Sequence, residues 1–170
     1  MKKQYNIKNN NVNNSKSMKN EEKVESQRML NIRQKLIARK LELAGFNVRR
    51  RSVNTLMVVF NGSRYFMRFE KNGNFAFYTR CQGVPSAEVY EDSYMWLIGK
   101  LNSQLRRTRF LLSYGRVWVL LAVRGVKPQD VVERFKRLVY SSKMAASYFS
   151  HHLRSLEVCK RRKREKGMTA

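Results

Sequence analysis

The chain has 170 residues, of which 42% are hydrophobic, and a formal net charge of +24. This length suits one domain with its own core rather than two, and nine Phe, eight Tyr and two Trp exclude disorder of the whole chain. Residues 27–157 alone carry +16, so the charge belongs to the folded part and not only to the ends. A protein of this charge attracts polyanions, namely nucleic acid, an anionic membrane surface or an acidic protein.

The ends of the chain differ in composition from its middle. Residues 1–20 contain seven Asn and five Lys, which predicts a disordered basic arm. From near Glu21 to Ala44 the pattern is helical, and Met29, Ile32, Leu36 and Leu43, with Ile37 and Leu41 beside them, mark its predicted apolar side. Residues 159–170 are predicted to form a basic disordered tail, which leaves 21–158 as the folded domain.

Two Asn-Gly pairs, at 61–62 and 72–73, separate runs of aromatic and β-branched residues. Such pairs are the strongest short-range signal for a two-residue hairpin turn. The sequence therefore predicts three antiparallel strands over 53–60, 64–70 and 75–81.

The second half begins with a predicted helix from Ser93, with apolar residues from Tyr94 to Leu105 at helical spacing. A second hairpin follows over 110–114 and 116–123, and its strands are apolar on both faces, so we expect them to be covered on both sides. A last helix starts at Pro128 and runs to about residue 157. The predicted order is α-βββ-α-ββ-α, an α+β domain whose antiparallel sheet is packed by helices.

If both Asn-Gly turns hold two residues, the register assigns the side chains to two faces. One face then carries Tyr65, Phe69 and Tyr78 and is predicted to be core. The opposite face carries Phe66, Phe75 and Phe77 together with Arg64 and Arg68. Three interpretations of this second face remain open: a helix or a second copy of the chain covers it, it is an open platform on which bases stack, or a peptide docks on it or on a sheet edge.

Clusters of cations are the other candidate binding residues. We expect one cluster between the first helix and the first strand, one between the second helix and the fourth strand, and one in the tail. Arginine has a planar fork of donors that suits phosphate or carboxylate oxygens. The predicted polyanion-binding residues are Arg49, Arg50, Arg51, Arg64, Arg68, Arg106, Arg107, Arg109, Lys160, Arg161, Arg162, Lys163 and Arg164.

Signals for catalysis, cofactors and metals are weak. His151 and His152 are adjacent, so on a helix they point about 100° apart and suit one metal ion poorly. Cys81 and Cys159 form no metal-binding spacing, and the sequence contains no glycine-rich phosphate loop. We therefore predict a non-enzymatic protein without cofactor or metal. The cysteine usage and the longest apolar run, seven residues at Val117–Val123, predict a soluble, cytoplasmic protein without a membrane span, or a nuclear one in a eukaryote.

Four stretches carry a resemblance that covers about residues 27–157. They are "LELAGFNV", "LIGKLNSQL" with Asn102, "GRVWVLLAV" and "KPQDVVERFKRLV", and in this layout the chain resembles the YbjN and type III secretion chaperone-like fold. The resemblance implies the same order of elements and a non-enzymatic, often dimeric, protein-binding module.

Two functional hypotheses result. The first is nucleic-acid binding through the phosphate backbone, with the type of nucleic acid left open. The alternative is a chaperone-like or adaptor protein for an acidic protein partner, in one version as a homodimer.

Overall fold

A computed structural model of the chain describes residues 7–70, 72–87 and 91–165, with side chains from 24 to 159 within these ranges. The described residues form three helices and six strands. The elements are α1 (Ile7–Leu43), β1 (Asn47–Ser52), β2 (Thr55–Phe60), β3 (Ser63–Phe69), β4 (Phe75–Arg80), α2 (Glu91–Gln104), β5 (Thr108–Ser113), β6 (Arg116–Val123) and α3 (Val131–Glu165), with a 3-10 turn at Pro128–Asp130 before α3.

The six strands form one antiparallel sheet in the order β1-β2-β3-β4-β6-β5. Phe60 pairs with Ser63 across the first Asn-Gly turn, where Asn61 and Gly62 both have positive φ, as a type I′ turn requires. The helices pack against the sheet, which confirms the predicted α+β class.

Three expectations about element bounds are wrong. The predicted order lacks β1, in which Arg49, Arg50 and Arg51 lie, so these arginines do not belong to a loop. Helix α1 begins at Ile7 rather than near Glu21, and α3 continues to Glu165. A helix already fixed by tertiary packing gains one backbone hydrogen bond for each residue added, so poor helix formers such as Asn do not end it. Residues 1–6 and 166–170 lie outside the described residues, and the domain limits 21–158 stay a prediction.

The register between β3 and β4 differs from the predicted one by one residue. Phe69 pairs with Phe75 and Met67 with Phe77, because the connection spans 70–74 instead of two residues. The backbone N–H of Glu70 donates to the carbonyl of Asn74 at 2.9 Å and closes this longer loop. A one-residue shift turns every side chain of a strand to the other face.

The core lies between the helices and one face of the sheet, which we call the core face. Phe135 of α3 contacts Phe46, Tyr65 and Phe77 with its ring, at centroid separations of 5.0–5.9 Å. The predicted core residues Tyr65 and Phe69 are buried here, but so are Phe75 and Phe77.

Helix α1 presents a different side to the core from the predicted one. Leu30, Ile37 and Leu41 are buried. Four residues of the predicted apolar side are exposed instead: Met29, Ile32, Leu36 and Leu43. Gln34 is buried among the core-facing residues, and in the amide orientation that satisfies both groups it donates to Val53 O at 2.9 Å and accepts from Thr55 N at 3.2 Å.

Helix α2 runs beside the edge strand β5. The side chain of Asn102 donates to Phe110 O at 2.9 Å and accepts from Phe110 N at 2.7 Å. Arg109 donates to the carbonyls of Asn102 and Leu105, so its positive charge lies at the negative end of the α2 dipole. Within the described part of the chain, no helix is long and apolar enough to cross a membrane.

Candidate functional site

The face of the sheet opposite the core face has no helix packed on it among the described residues, and we call it the open face. Its residues follow from the register of the six strands. They are Asn47 and Arg49 of β1, Thr55, Met57 and Val59 of β2, Arg64, Phe66 and Arg68 of β3, Ala76, Tyr78 and Arg80 of β4, Arg109, Leu111 and Ser113 of β5, and Arg116, Trp118, Leu120 and Ala122 of β6.

Three aromatic rings meet near the middle of the open face, and we call them the ring cluster: Phe66, Tyr78 and Trp118. Phe66 and Tyr78 are stacked, with centroids 5.1 Å apart and an interplanar angle of 11°. The ring centroid of Trp118 lies 6.0 Å from that of Phe66 and 6.2 Å from that of Tyr78. All three side chains are half-buried, and the indole N–H of Trp118 is inaccessible and has no hydrogen-bond partner among the described residues.

This arrangement corrects the prediction that Phe66, Phe75 and Phe77 share one face. Phe75 and Phe77 lie on the core face because of the shifted register, so Phe66 alone of the predicted trio belongs to the open face. Tyr78 was expected in the core and lies in the ring cluster instead. The β5–β6 hairpin was expected to be covered on both sides, but Leu111 and Ala122 of its outer face are exposed.

Arginines surround the ring cluster, and no acid accompanies them. The six strands contain no Asp, Glu or Lys, and their charged residues are Arg49, Arg50, Arg51, Arg64, Arg68, Arg80, Arg109 and Arg116. Arg64 and Arg68 flank Phe66 on β3, and Arg80 pairs with Trp118 across β4 and β6. These three are exposed, and their side chains form no ion pair or hydrogen bond within the described part of the chain.

The β3–β4 register places two of these cations directly opposite each other. Tyr65 pairs with Thr79, so the next position sets Arg64 beside Arg80. Like charges in directly opposed positions destabilise a sheet by about 0.2–1 kcal/mol. An anion bound between the two guanidinium groups would remove this repulsion.

The remaining predicted cations are divided among several places. Arg49 lies on the open face, whereas Arg50 faces α1 and donates to Asn31 and to the carbonyl of Val53. Arg51 lies at the register irregularity of β1. The guanidinium of Arg109 is bound to α2, which gives this residue a structural role.

Arg106 and Arg107 line a groove of about 790 Å³ between α3 and the β5–β6 hairpin, where Arg124, Arg134 and Arg137 join them. Lys160, Arg161, Arg162, Lys163 and Arg164 belong to the last turns of α3, and their side chains lie outside the described ones.

Cys81, His151 and His152 are the other titratable residues considered from the sequence. Burial raises the pKa of the Cys81 thiol to about 12, so this residue is protonated and unreactive at neutral pH. His152 contacts Tyr148 on its own helix, with ring centroids 4.2 Å apart, and His151 lines a polar groove with Arg80 and Arg154. Across the described residues, no three His, Cys, Asp or Glu side chains are grouped as metal ligands.

Sequence reasoning missed Arg80, Trp118 and, as a surface residue, Tyr78. For Tyr78 and Arg80 the missing signal was the length of the 70–74 loop, which decides the face to which β4 turns its side chains. No known protein family matches the chain, and a search of curated proteins finds no match either.

Proposed function

We propose that the protein binds single-stranded nucleic acid on the open face of its sheet, through base stacking on the ring cluster and arginine contacts to phosphates. The observation that carries this proposal is the coincidence of three half-buried rings with arginines that form no ion pair among the described residues, on strands that contain no Asp or Glu. A face whose only role was to be covered by another apolar surface would not combine its rings with free charges.

The chemistry favours a single strand over a duplex. Bases of a single strand are free to splay and stack on aromatic side chains, whereas those of a duplex are already stacked on each other. Each base–aromatic stack contributes about 1–3 kcal/mol and tolerates any base. The arginines add phosphate contacts that carry no sequence information, so we expect weak base preference and binding that falls steeply with salt.

The test is a salt titration of binding to labelled single-stranded RNA, single-stranded DNA and duplex DNA of equal length. The protein carries Trp96→Phe, which leaves Trp118 as its only tryptophan and makes fluorescence quenching report stacking at the ring cluster. We expect both single strands to bind more tightly than the duplex and to quench Trp118. Phe66→Ala should then lower single-strand affinity by about tenfold or more.

Trp96→Ala is the matched control, because the ring of Trp96 is exposed on α2, with Lys100 Nζ 5.1 Å from its centroid. Equal losses of single-strand affinity in Phe66→Ala and Trp96→Ala would contradict the proposal. So would tight duplex binding that leaves Trp118 fluorescence unchanged.

A second candidate is a chaperone-like adaptor for an acidic protein partner. An exposed apolar row on α1 favours it, because its residues recur at the spacing by which one helix docks on another. The row consists of Met29, Ile32, Leu36 and Leu43. Three cations of the same helix, Arg28, Lys35 and Arg39, lie beside it and suit an acidic partner. Replacing Ile32 and Leu36 with Lys would abolish such binding and leave the open face intact. Retention of protein binding by this variant would contradict the second candidate.

A further inference from the structure

The groove between α3 and the β5–β6 hairpin concentrates positive charge from three separate parts of the chain. Arg106 and Arg107 precede β5, Arg124 follows β6, and Arg134 and Arg137 come from the first turns of α3. All five side chains are exposed. Such convergence depends on the tertiary fold, because no local pattern in the sequence joins these residues.

Most of this charge lacks a partner. Arg137 forms an ion pair with Glu133 on the same helix, and it is the only one of the five with an ion pair among the described residues. The other four guanidinium groups around this groove of about 790 Å³ form no ion pair with a described residue, although Asp130 and Glu133 line an adjoining pocket with Arg134. Mutual repulsion of these groups favours occupation by a ligand with several negative charges.

The groove is continuous with the open face. Ala122 lines the groove and also lies on the open face, where it pairs with Ala76 in the row that contains Arg68. Ala122 has a small side chain and is exposed, so it presents little bulk between the two surfaces. Thr108 pairs with Leu121, so the next position sets Arg107 beside Ala122.

We propose that the groove binds the phosphate backbone of the same nucleic-acid strand after it leaves the ring cluster. This inference rests on the proposed function and extends it. The ring cluster holds bases, and the strand then passes over Ala122 into the groove, where Arg107, Arg124 and Arg134 contact successive phosphates. The groove contains no aromatic residue, so this second segment is bound through its backbone alone.

The test compares labelled oligouridylates of 4 and 15 nucleotides. The short strand is long enough for the three rings, and the long one can also enter the groove. The double variant Arg107→Glu/Arg134→Glu should lower 15-mer affinity by about 10- to 100-fold and reduce the slope of log K against log salt by about 1.4, the value for two lost phosphate contacts. The 4-mer affinity should stay within about threefold of that of the matched control.

The control is Arg28→Glu/Arg39→Glu on α1, which makes the same change in net charge at exposed positions away from the groove. Equal losses of 15-mer affinity in both double variants would overturn the inference while the ring cluster still binds the 4-mer. Failure of the wild-type protein to bind either oligonucleotide would overturn the proposed function and the groove inference together.

Discussion

The two faces of the sheet are built from the same strands and are both rich in aromatic rings, yet their environments differ. On β3, Tyr65, Met67 and Phe69 enter the core, whereas Arg64, Phe66 and Arg68 alternate with them on the open face. In the core, Phe135 contacts Phe46, Tyr65 and Phe77 edge to face, and the open rings lie among arginines. Aromatic content alone therefore does not separate the core face from the open face, but the charges at positions i±2 on the same strand do.

The largest expected difference between the faces is in stability. Phe77→Ala removes a fully buried ring that contacts Tyr65 and Phe135, and we expect it to lower the free energy of unfolding by about 3–5 kcal/mol. Phe66→Ala should cost less than half of that, since its ring is half-exposed. Urea titrations of both variants measure the free energy of unfolding. Equal losses of this free energy would show that the open face is covered in solution.

Thiol labelling compares the faces at two neighbouring positions. Cys81 continues β4 on the core side and is buried, while Arg80→Cys would place a thiol on the open face. In a Cys159→Ser background, we expect this introduced thiol to react with a maleimide at least about 100-fold faster than Cys81 at about pH 7.5, because the pKa of Cys81 is raised to about 12. Comparable rates would contradict the assignment of the faces.

The smallest expected effect concerns the opposed arginines. Arg80→Thr removes the repulsion with Arg64 and introduces a good strand former, so we expect it to stabilise the protein by about 0.2–1 kcal/mol at low salt while it weakens nucleic-acid binding. Salt should reduce this gain by screening. Thermal unfolding at two salt concentrations measures it, and a destabilised variant at low salt would mean that Arg80 has a structural partner.

Much of the fold was predictable because its signals are local. The turn at Asn61–Gly62 holds two residues as expected, so the β2–β3 register is the predicted one. The turn at Asn72–Gly73 uses the same dipeptide, but Gly73 lies inside a longer loop against the guanidinium of Arg33. Arg33 also donates to Val126 O, so this loop is shaped by a contact from α1 that no local pattern reveals.

The site was less predictable than the fold for the same reason. Arg64, Phe66 and Arg68 were found because alternation along one strand identified them. Assigning Tyr78 needed the length of the loop before β4, and the arginine groove needed the crossing of α3 over the β5–β6 hairpin. The exposed stripe of α1 was mistaken for its core side because both sides carry apolar residues at helical spacing, and only packing decides between them.

The bonds between Asn102 and Phe110 also affect how the sheet can grow. An edge strand with free N–H and C=O groups is a template for pairing with another chain, which leads to aggregation or strand exchange. At the β5 edge, the amide of Asn102 occupies both outward-facing groups of Phe110. At the opposite edge, β1 carries three consecutive arginines and a register irregularity, both of which oppose lateral addition of a like-charged copy. Both edges of the sheet thus carry features that oppose pairing with a further strand.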